Sequence, residues 1–279
     1  MKNIFKYLLL LVSATSLMVS CVESDPKEEK RAQYEETYGK FVSAYTSGDF
    51  IKAREHYGKL AALNETLGMG TKKLNDTKME LFRAEAAYII ATNPDPTARI
   101  ILLIQQDFSS NNKEACMFVM NEGIRTKNNK LVASAYSLSK DYLPIFQSYI
   151  EYVGSMQDVQ EATLMLEDAK VIGQKLTPGL NDFYDGYYNE WDVDRGENNG
   201  AVYSKAVAAY NSACTRIIKK CVATGELTPA LLVLGMMLPN LDITMGEYGL
   251  KHKGVEVDGN HCYAEYTNRD INAARALLR

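Results

Sequence analysis

The stretch "GDFIKAREHY" at residues 48–57 has a pattern that recurs in "QDVQEATLML" at 157–166 and in "GELTPALLVL" at 225–234. In each stretch a turn residue is followed by an acid, an apolar residue, two variable positions and an alanine, with a second apolar residue four positions after the alanine. The acid can cap a helix, and the small alanine lets that helix lie close to the preceding one. Each stretch therefore predicts a turn between two antiparallel helices.

The sequence around these turns has the apolar spacing of helices from residue 28 to residue 176. Polar breaks separate segments of about 12–20 residues, and they fall at 47–49, 64–75, 93–96, 109–112, 127–129 and 157–158. No long run alternates with the period of a strand in this part of the chain. The pattern predicts an all-α fold, built as an array of antiparallel helix hairpins.

The turn and second helix of the first hairpin resemble those of a tetratricopeptide repeat, and the residues that carry the resemblance are Gly48, Asp49, Phe50, Ala53 and Tyr57. The first helix departs from that family, since it has Thr37, Phe41 and Ala44 where the family has tryptophan, a small residue and tyrosine. The resemblance implies an α-solenoid whose concave face binds a protein or peptide.

The composition changes after residue 178. Residues 182–200 are rich in aromatic and acidic side chains, and then in glycine and asparagine, so a subdivision of the domain is predicted near 178–200. Helical spacing returns at 201–223 and 228–238. Residues 254–266 alternate on both sides of an Asp-Gly dipeptide, which predicts a small β-hairpin near 254–266.

The N-terminus has the charged, apolar and small-residue order of a secretory signal. Its last residues, Met18-Val19-Ser20-Cys21, resemble a bacterial lipobox. The resemblance implies that residues 1–20 are removed and that Cys21 carries lipid. The protein would then be an outer-membrane lipoprotein, on either the periplasmic or the surface face of that membrane. The alternative is an ordinary signal peptide with Cys21 as an incidental thiol. Residues 21–31 are predicted to be a flexible tether, and residues 32–279 form the helical domain.

The charge and the cysteines exclude some classes of protein. The formal net charge is −4, and loss of the leader removes two lysines, so nucleic acid is a poor candidate partner. The other cysteines, at 116, 214, 221 and 262, are too few for a disulfide framework, and those at 214 and 221 lie too far apart along one helix to bridge. Buried free thiols are expected.

The catalytic inventory is thin, since the chain has three histidines and no recognisable nucleophile or metal-protease motif. The sequence therefore favours a protein that is not an enzyme and that holds no metal or cofactor. Two weaker patterns would allow an envelope hydrolase. One is a calcium-like acidic run, Asp192, Asp194 and Glu197; the other is a zinc-like set, His252, Glu256, Asp258, His261 and Cys262.

An aromatic cluster supplies the candidate binding residues, which are Tyr184, Tyr187, Tyr188, Glu190 and Trp191. Rings beside carboxylates can stack on sugars or anchor a peptide, but they can equally pack a long connection onto the helices. The leading hypothesis is a membrane-anchored scaffold for an envelope protein or peptide, without nucleic acid. The alternative is a glycan-binding accessory lipoprotein that uses this cluster.

Overall fold

The computed structural model describes residues 26–108, 112–140, 142–175, 199–245, 250–252, 255–257 and 262–279. Its helices are α1 (Pro26–Thr46), α2 (Phe50–Leu67), α3 (Thr71–Thr92), α4 (Thr97–Asp107), α5 (Lys113–Thr126), α6 (Asn129–Leu138), α7 (Leu143–Ser155), α8 (Val159–Lys175), α9 (Asn199–Thr224), α10 (Leu227–Met236) and α11 (Arg269–Ala276). Four short strands are β1 (Asn240–Met245), β2 (Leu250–His252), β3 (Val255–Val257) and β4 (Cys262–Thr267). The prediction of an all-α fold is confirmed.

The chain divides into two compact units, Met1–Leu81 and Phe82–Arg279. The boundary falls inside α3, and the subdivision predicted near 178–200 lies almost entirely outside the described residues. In the first unit, α1 and α2 form a hairpin. Its core consists of Tyr34, Phe41, Ala44, Ala53, Leu60 and Leu81. Residues 26–31 belong to α1, so this part of the expected tether is helical.

Two of the predicted turns share one backbone conformation. Gly48 and Gly225 have left-handed φ angles of 81° and 77°, which glycine adopts without a steric cost. The amide of the next residue then donates a hydrogen bond to Ala44 in the first turn, at 2.9 Å, and to Cys221 in the last turn, at 2.8 Å. These bonds satisfy carbonyls that would otherwise be orphaned at the helix ends.

The acids at the turns do not all cap as expected. Asp49 accepts a hydrogen bond from the amide of Lys52, and Asp158 accepts one from the amide of Glu161. Glu226 makes no such bond, because its side chain accepts instead from the Thr224 hydroxyl at 3.0 Å. The alanine of the pattern is fully buried in all three hairpins, at residues 53, 162 and 230.

A fourth turn of the same kind joins α5 to α6, at the polar break predicted at 127–129. Lys127 takes the left-handed conformation there, with φ 54°. The amide of Asn128 donates to the carbonyl oxygen of Gly123 at 2.8 Å, and the Asn128 side chain caps α6 by accepting from Leu131. An additional break separates α6 from α7 at residues 139–142.

The hairpins α5–α6 and α7–α8 repeat one another at an interval of thirty residues. The buried residues of α5 are Ala115, Cys116, Val119, Met120 and Gly123, and their counterparts in α7 are Ile145, Phe146, Tyr149, Ile150 and Val153. In the second helices, Val132, Ala135 and Tyr136 correspond in the same way to Ala162, Met165 and Leu166. No pair in this set has the same residue in both hairpins.

Successive hairpins contact one another within the unit Phe82–Arg279. Helix α7 packs against α5, α6, α8 and α9, and α8 packs against α9 and α10. Two buried tyrosines reach α8 from either side: Tyr149 of α7 donates to the carbonyl of Met165 at 3.1 Å, and Tyr210 of α9 donates to that of Leu166 at 3.2 Å. Helix α8 is therefore held between α7 and α9.

The strands do form within residues 254–266, but their pairing differs from the expected hairpin. β3 pairs antiparallel with β2, and β4 pairs antiparallel with β1. β2 and β3 are consecutive strands separated by two residues, 253 and 254, whereas the sequence predicted a turn at 258–259. The alternation in "NLDITM", which makes β1, went unrecognised in the sequence.

The C-terminal segment is attached to α9 by a buried amide. The Asn211 side chain donates to the carbonyl of Leu238 at 2.8 Å and accepts from its amide at 3.0 Å. Asn240 and Asp270 are joined in a similar reciprocal way, since the Asn240 side chain donates to the Asp270 carboxylate and accepts from its amide. These bonds fix the start of β1 and the first turn of α11.

Candidate functional site

A cleft of about 480 Å³ lies between the α7–α8 turn and the α9–α10 turn. One wall is the α7–α8 turn with the beginning of α8, and the other is the end of α9 with the α9–α10 turn. The lining residues are Gln157, Asp158, Val159, Gln160, Lys220, Ala223, Thr224 and Glu226. The volume lies within the range of roughly 300–1,000 Å³ that ligand pockets occupy.

Lys220 lines the α9 side of this cleft. Its ammonium group donates to the carbonyl oxygen of Gly154 at 3.1 Å and also to that of Met156. Burial lowers the pKa of Lys220, and the neighbouring Arg216 charge lowers it further. The ammonium thus sits at the C-terminal end of α7, where the partial negative charge of the helix stabilises a cation.

The approach of α7 to α9 depends on Gly154. A β-carbon at this position would lie 3.0 Å from the Cα and Cβ atoms of Ala213 and 3.1 Å from the Arg216 guanidinium. Gly154 is fully helical, so its role is to provide space and not a special backbone angle. The lack of a side chain lets α7 pack directly against Ala213 of α9.

The two carboxylates in the lining keep unused acceptor capacity. Asp158 uses one oxygen to cap α8, and Glu226 uses one oxygen to accept from Thr224. Neither forms an ion pair with any residue in the described ranges. A carboxylate can accept from several donors, so each can accept more bonds from a ligand.

Exposed leucines follow the cleft on α10. Leu227 comes directly after Glu226 and is 56% exposed, and Leu231, one helical turn later, is 58% exposed. Leu232 is exposed to a similar extent. The opposite face of α10 is buried through Ala230, Val233 and Met236. Helix α10 is therefore apolar on both faces, which is unusual for a helix that borders solvent.

The residues predicted to bind a ligand or lipid lie outside the described residues. These are Cys21 and the cluster Tyr184, Tyr187, Tyr188, Glu190 and Trp191, and the calcium-like run at 192–197 also falls there. The roles assigned to them stay predictions. No pattern in the sequence indicated that Lys220 would line a cleft. The turn pattern placed Asp158 and Glu226 at equivalent positions, and that was the sequence signal for this site.

The strand pairing places the described residues of the zinc-like set in two different sheets. The backbones of His252 and Glu256 lie in the β2–β3 pair, whereas Cys262 lies in β4, which pairs with β1. Asp258 and His261 are outside the described residues. In the part of the chain that the structure describes, no group of three or more histidine, cysteine, aspartate or glutamate side chains could hold a metal ion.

Three of the cysteines are buried free thiols, as expected: Cys116, Cys214 and Cys221. Burial raises the pKa of Cys116 to about 11 and that of Cys214 to about 12, and it also raises the pKa of Cys221. Because the thiolate is the reactive form, these thiols are unreactive near neutral pH.

No protein-family model, curated protein or solved structure matches the chain. Among the described residues, none of the helices combines the length and the apolar character needed to cross a membrane.

Proposed function

We propose that the chain is a helical scaffold of the cell envelope that binds a segment of another protein. The hairpins would form a tetratricopeptide-like solenoid, and lipid on Cys21 would hold the chain at the outer membrane. The observation that carries the proposal is the thirty-residue interval at which α5–α6 and α7–α8 bury equivalent positions. Stacked repeats of this kind offer extended surfaces for peptide segments.

The cleft between two successive turns supports the same proposal. It has a rigid frame, because α7, α8 and α9 are fixed by buried tyrosine hydrogen bonds and by the Lys220 bonds. Its lining combines carboxylates, carboxamides and a hydroxyl, which suit the polar groups of a peptide. An adjoining apolar surface on α10 suits a neighbouring apolar side chain.

Site-specific photo-cross-linking tests the proposal in cells. A photoreactive residue replaces Gln160, which is exposed and lines the cleft, and in a matched strain it replaces Gln105, which is exposed on α4. The full-length lipidated chain is expected to yield a discrete protein adduct from position 160 alone. The absence of any adduct from position 160, or the same adducts from both positions, would contradict the proposal.

The anchor is tested separately by Cys21→Ser. The substituted chain is expected to move from the membrane fraction to the soluble fraction, because a lipid-bearing thiol would be lost. Retention of the substituted chain in the membrane fraction would count against the lipid anchor. Neither outcome bears on the cleft itself.

A further inference from the structure

The two carboxylates of the cleft have hydrogen-bond acceptors to spare. Asp158 and Glu226 each have one carboxylate oxygen committed to a bond within the chain and one left over. The carboxamides of Gln157 and Gln160, on the same wall as Asp158, supply both donors and acceptors. A ligand that meets the two carboxylates needs donors, and preferably positive charge.

The single cation in the lining, Lys220, does not make the lining positive overall. The Lys220 ammonium donates to the carbonyls of Gly154 and Met156, and among the described residues it forms no ion pair with either carboxylate. The partial negative charge at the end of α7 offsets much of its field. The lining therefore has a net negative charge and its free capacity lies with the acids.

The adjoining surface is apolar. Leu227 and Leu231 lie one turn apart on α10 and start immediately after Glu226 in the chain. A small amine bound at the carboxylates would leave these leucines in water. A peptide with an apolar residue beside its basic residue would cover them and remove apolar area from solvent.

We propose that the cleft binds a peptide segment through a lysine or arginine side chain held between Asp158 and Glu226, with a neighbouring apolar side chain packed on Leu227 and Leu231. This rests on the proposed scaffold function and specifies the class of ligand for the same site. The complementary charge and the adjacent apolar strip select a basic, partly apolar peptide over an acidic peptide or a free amine.

The test measures fluorescence anisotropy with the full-length lipidated protein in detergent. The probe is a short fluorescein-labelled peptide of alternating arginine and leucine. Comparison peptides carry glutamate for arginine, or serine for leucine, and N-acetylarginine amide serves as a competing free cation. The variants are Asp158→Asn with Glu226→Gln, and Leu227→Ser with Leu231→Ser. Asp49→Asn is the control, since it changes the equivalent acid of the first turn.

The expected result is a roughly tenfold loss of affinity in the carboxamide double variant, together with a loss in the serine double variant and none in the control. Added salt should weaken the binding of the arginine peptide, and N-acetylarginine amide should compete poorly with it. Equal affinity for the wild type and the carboxamide variant, or equal affinity for the glutamate peptide, would overturn the proposal. So would full competition by N-acetylarginine amide, which would point to a small cation.

The photo-cross-linking strain separates the two proposals. If position 160 captures a protein and the carboxamide double variant captures it equally well, the scaffold function stands and the basic ligand is wrong. If position 160 captures nothing, the scaffold function itself fails. Loss of the adduct in the carboxamide double variant, with retention in Asp49→Asn, supports both.

Discussion

Replacement of Gly154 by alanine tests how closely α7 and α9 must approach to build the cleft. The new β-carbon would lie 3.0 Å from two atoms of Ala213, and one of these is the backbone Cα of α9. The Arg216 guanidinium, 3.1 Å away, can move, but the backbone cannot move without shifting the helix. Helices α7 and α9 must therefore separate by a few tenths of an ångström.

The expected cost follows from two opposing effects. Overpacking of this kind costs about 1–3 kcal/mol. Alanine in place of helical glycine returns up to about 1 kcal/mol through helix propensity. Gly235→Ala is a matched control, because Gly235 is also the second-to-last residue of its helix and has nothing within 4 Å of the added β-carbon. Subtraction of the two variants removes the propensity gain.

The assay is urea denaturation of the full-length protein, followed by circular dichroism. Both glycines belong to the unit Phe82–Arg279, so the same unfolding transition is compared. Gly154→Ala should have a free energy of unfolding about 1–3 kcal/mol below that of Gly235→Ala. Equal values, or a more stable Gly154→Ala variant, would refute the reasoning that this contact sets the spacing of α7 and α9.

Three further changes have defined outcomes. Lys220→Met should lower the free energy of unfolding by about 1–2 kcal/mol, because two charged hydrogen bonds are lost. Lys219→Met, at an exposed position, should change it by under about 0.5 kcal/mol. Equal effects of the two substitutions in urea denaturation would contradict this prediction. Asn211→Ala should cost about 2–4 kcal/mol, because it leaves the Leu238 backbone groups unpaired, and hydrogen exchange of β1 should accelerate; unchanged exchange would argue against the attachment. The Cys214 thiol, whose pKa burial raises from 9.0 to about 12, contributes stability that is complete below pH 9 and is lost as the pH rises towards 12. The contribution of this thiol to the free energy of unfolding should therefore fall by up to about 1.4 kcal/mol per pH unit in that window. The total fall should be shallower in Cys214→Ala than in the wild type, and equal slopes would rule out this contribution.

The turns could be predicted from the sequence because their chemistry is local. Gly48 and Gly225 supply left-handed angles, Asp49 and Asp158 supply capping oxygens, and the alanines allow close packing. Such features depend on residues within a few positions of one another. The fourth turn was missed because Lys127 is not glycine, although Gly123 and Asn128 carried part of the signal.

The thirty-residue interval and the cleft could not be predicted in the same way. The equivalent positions of α5 and α7 need only be apolar or small, so Gly123 corresponds to Val153 and Cys116 to Phe146. The cleft requires two turns far apart in sequence, and Lys220 belongs to a third element. The role of Lys220 depends on the position of the α7 carbonyls, which cannot be predicted from residue spacing along the chain.

Hydrogen–deuterium exchange on the full-length lipidated protein, alone and with its captured partner, tests the central claim of peptide binding between successive turns. With the partner bound, exchange should slow in the first turn of α8, at residues 157–160, and at residues 223–231 across the start of α10. Protection confined to other helices, or no protection with the partner bound, would contradict the claim.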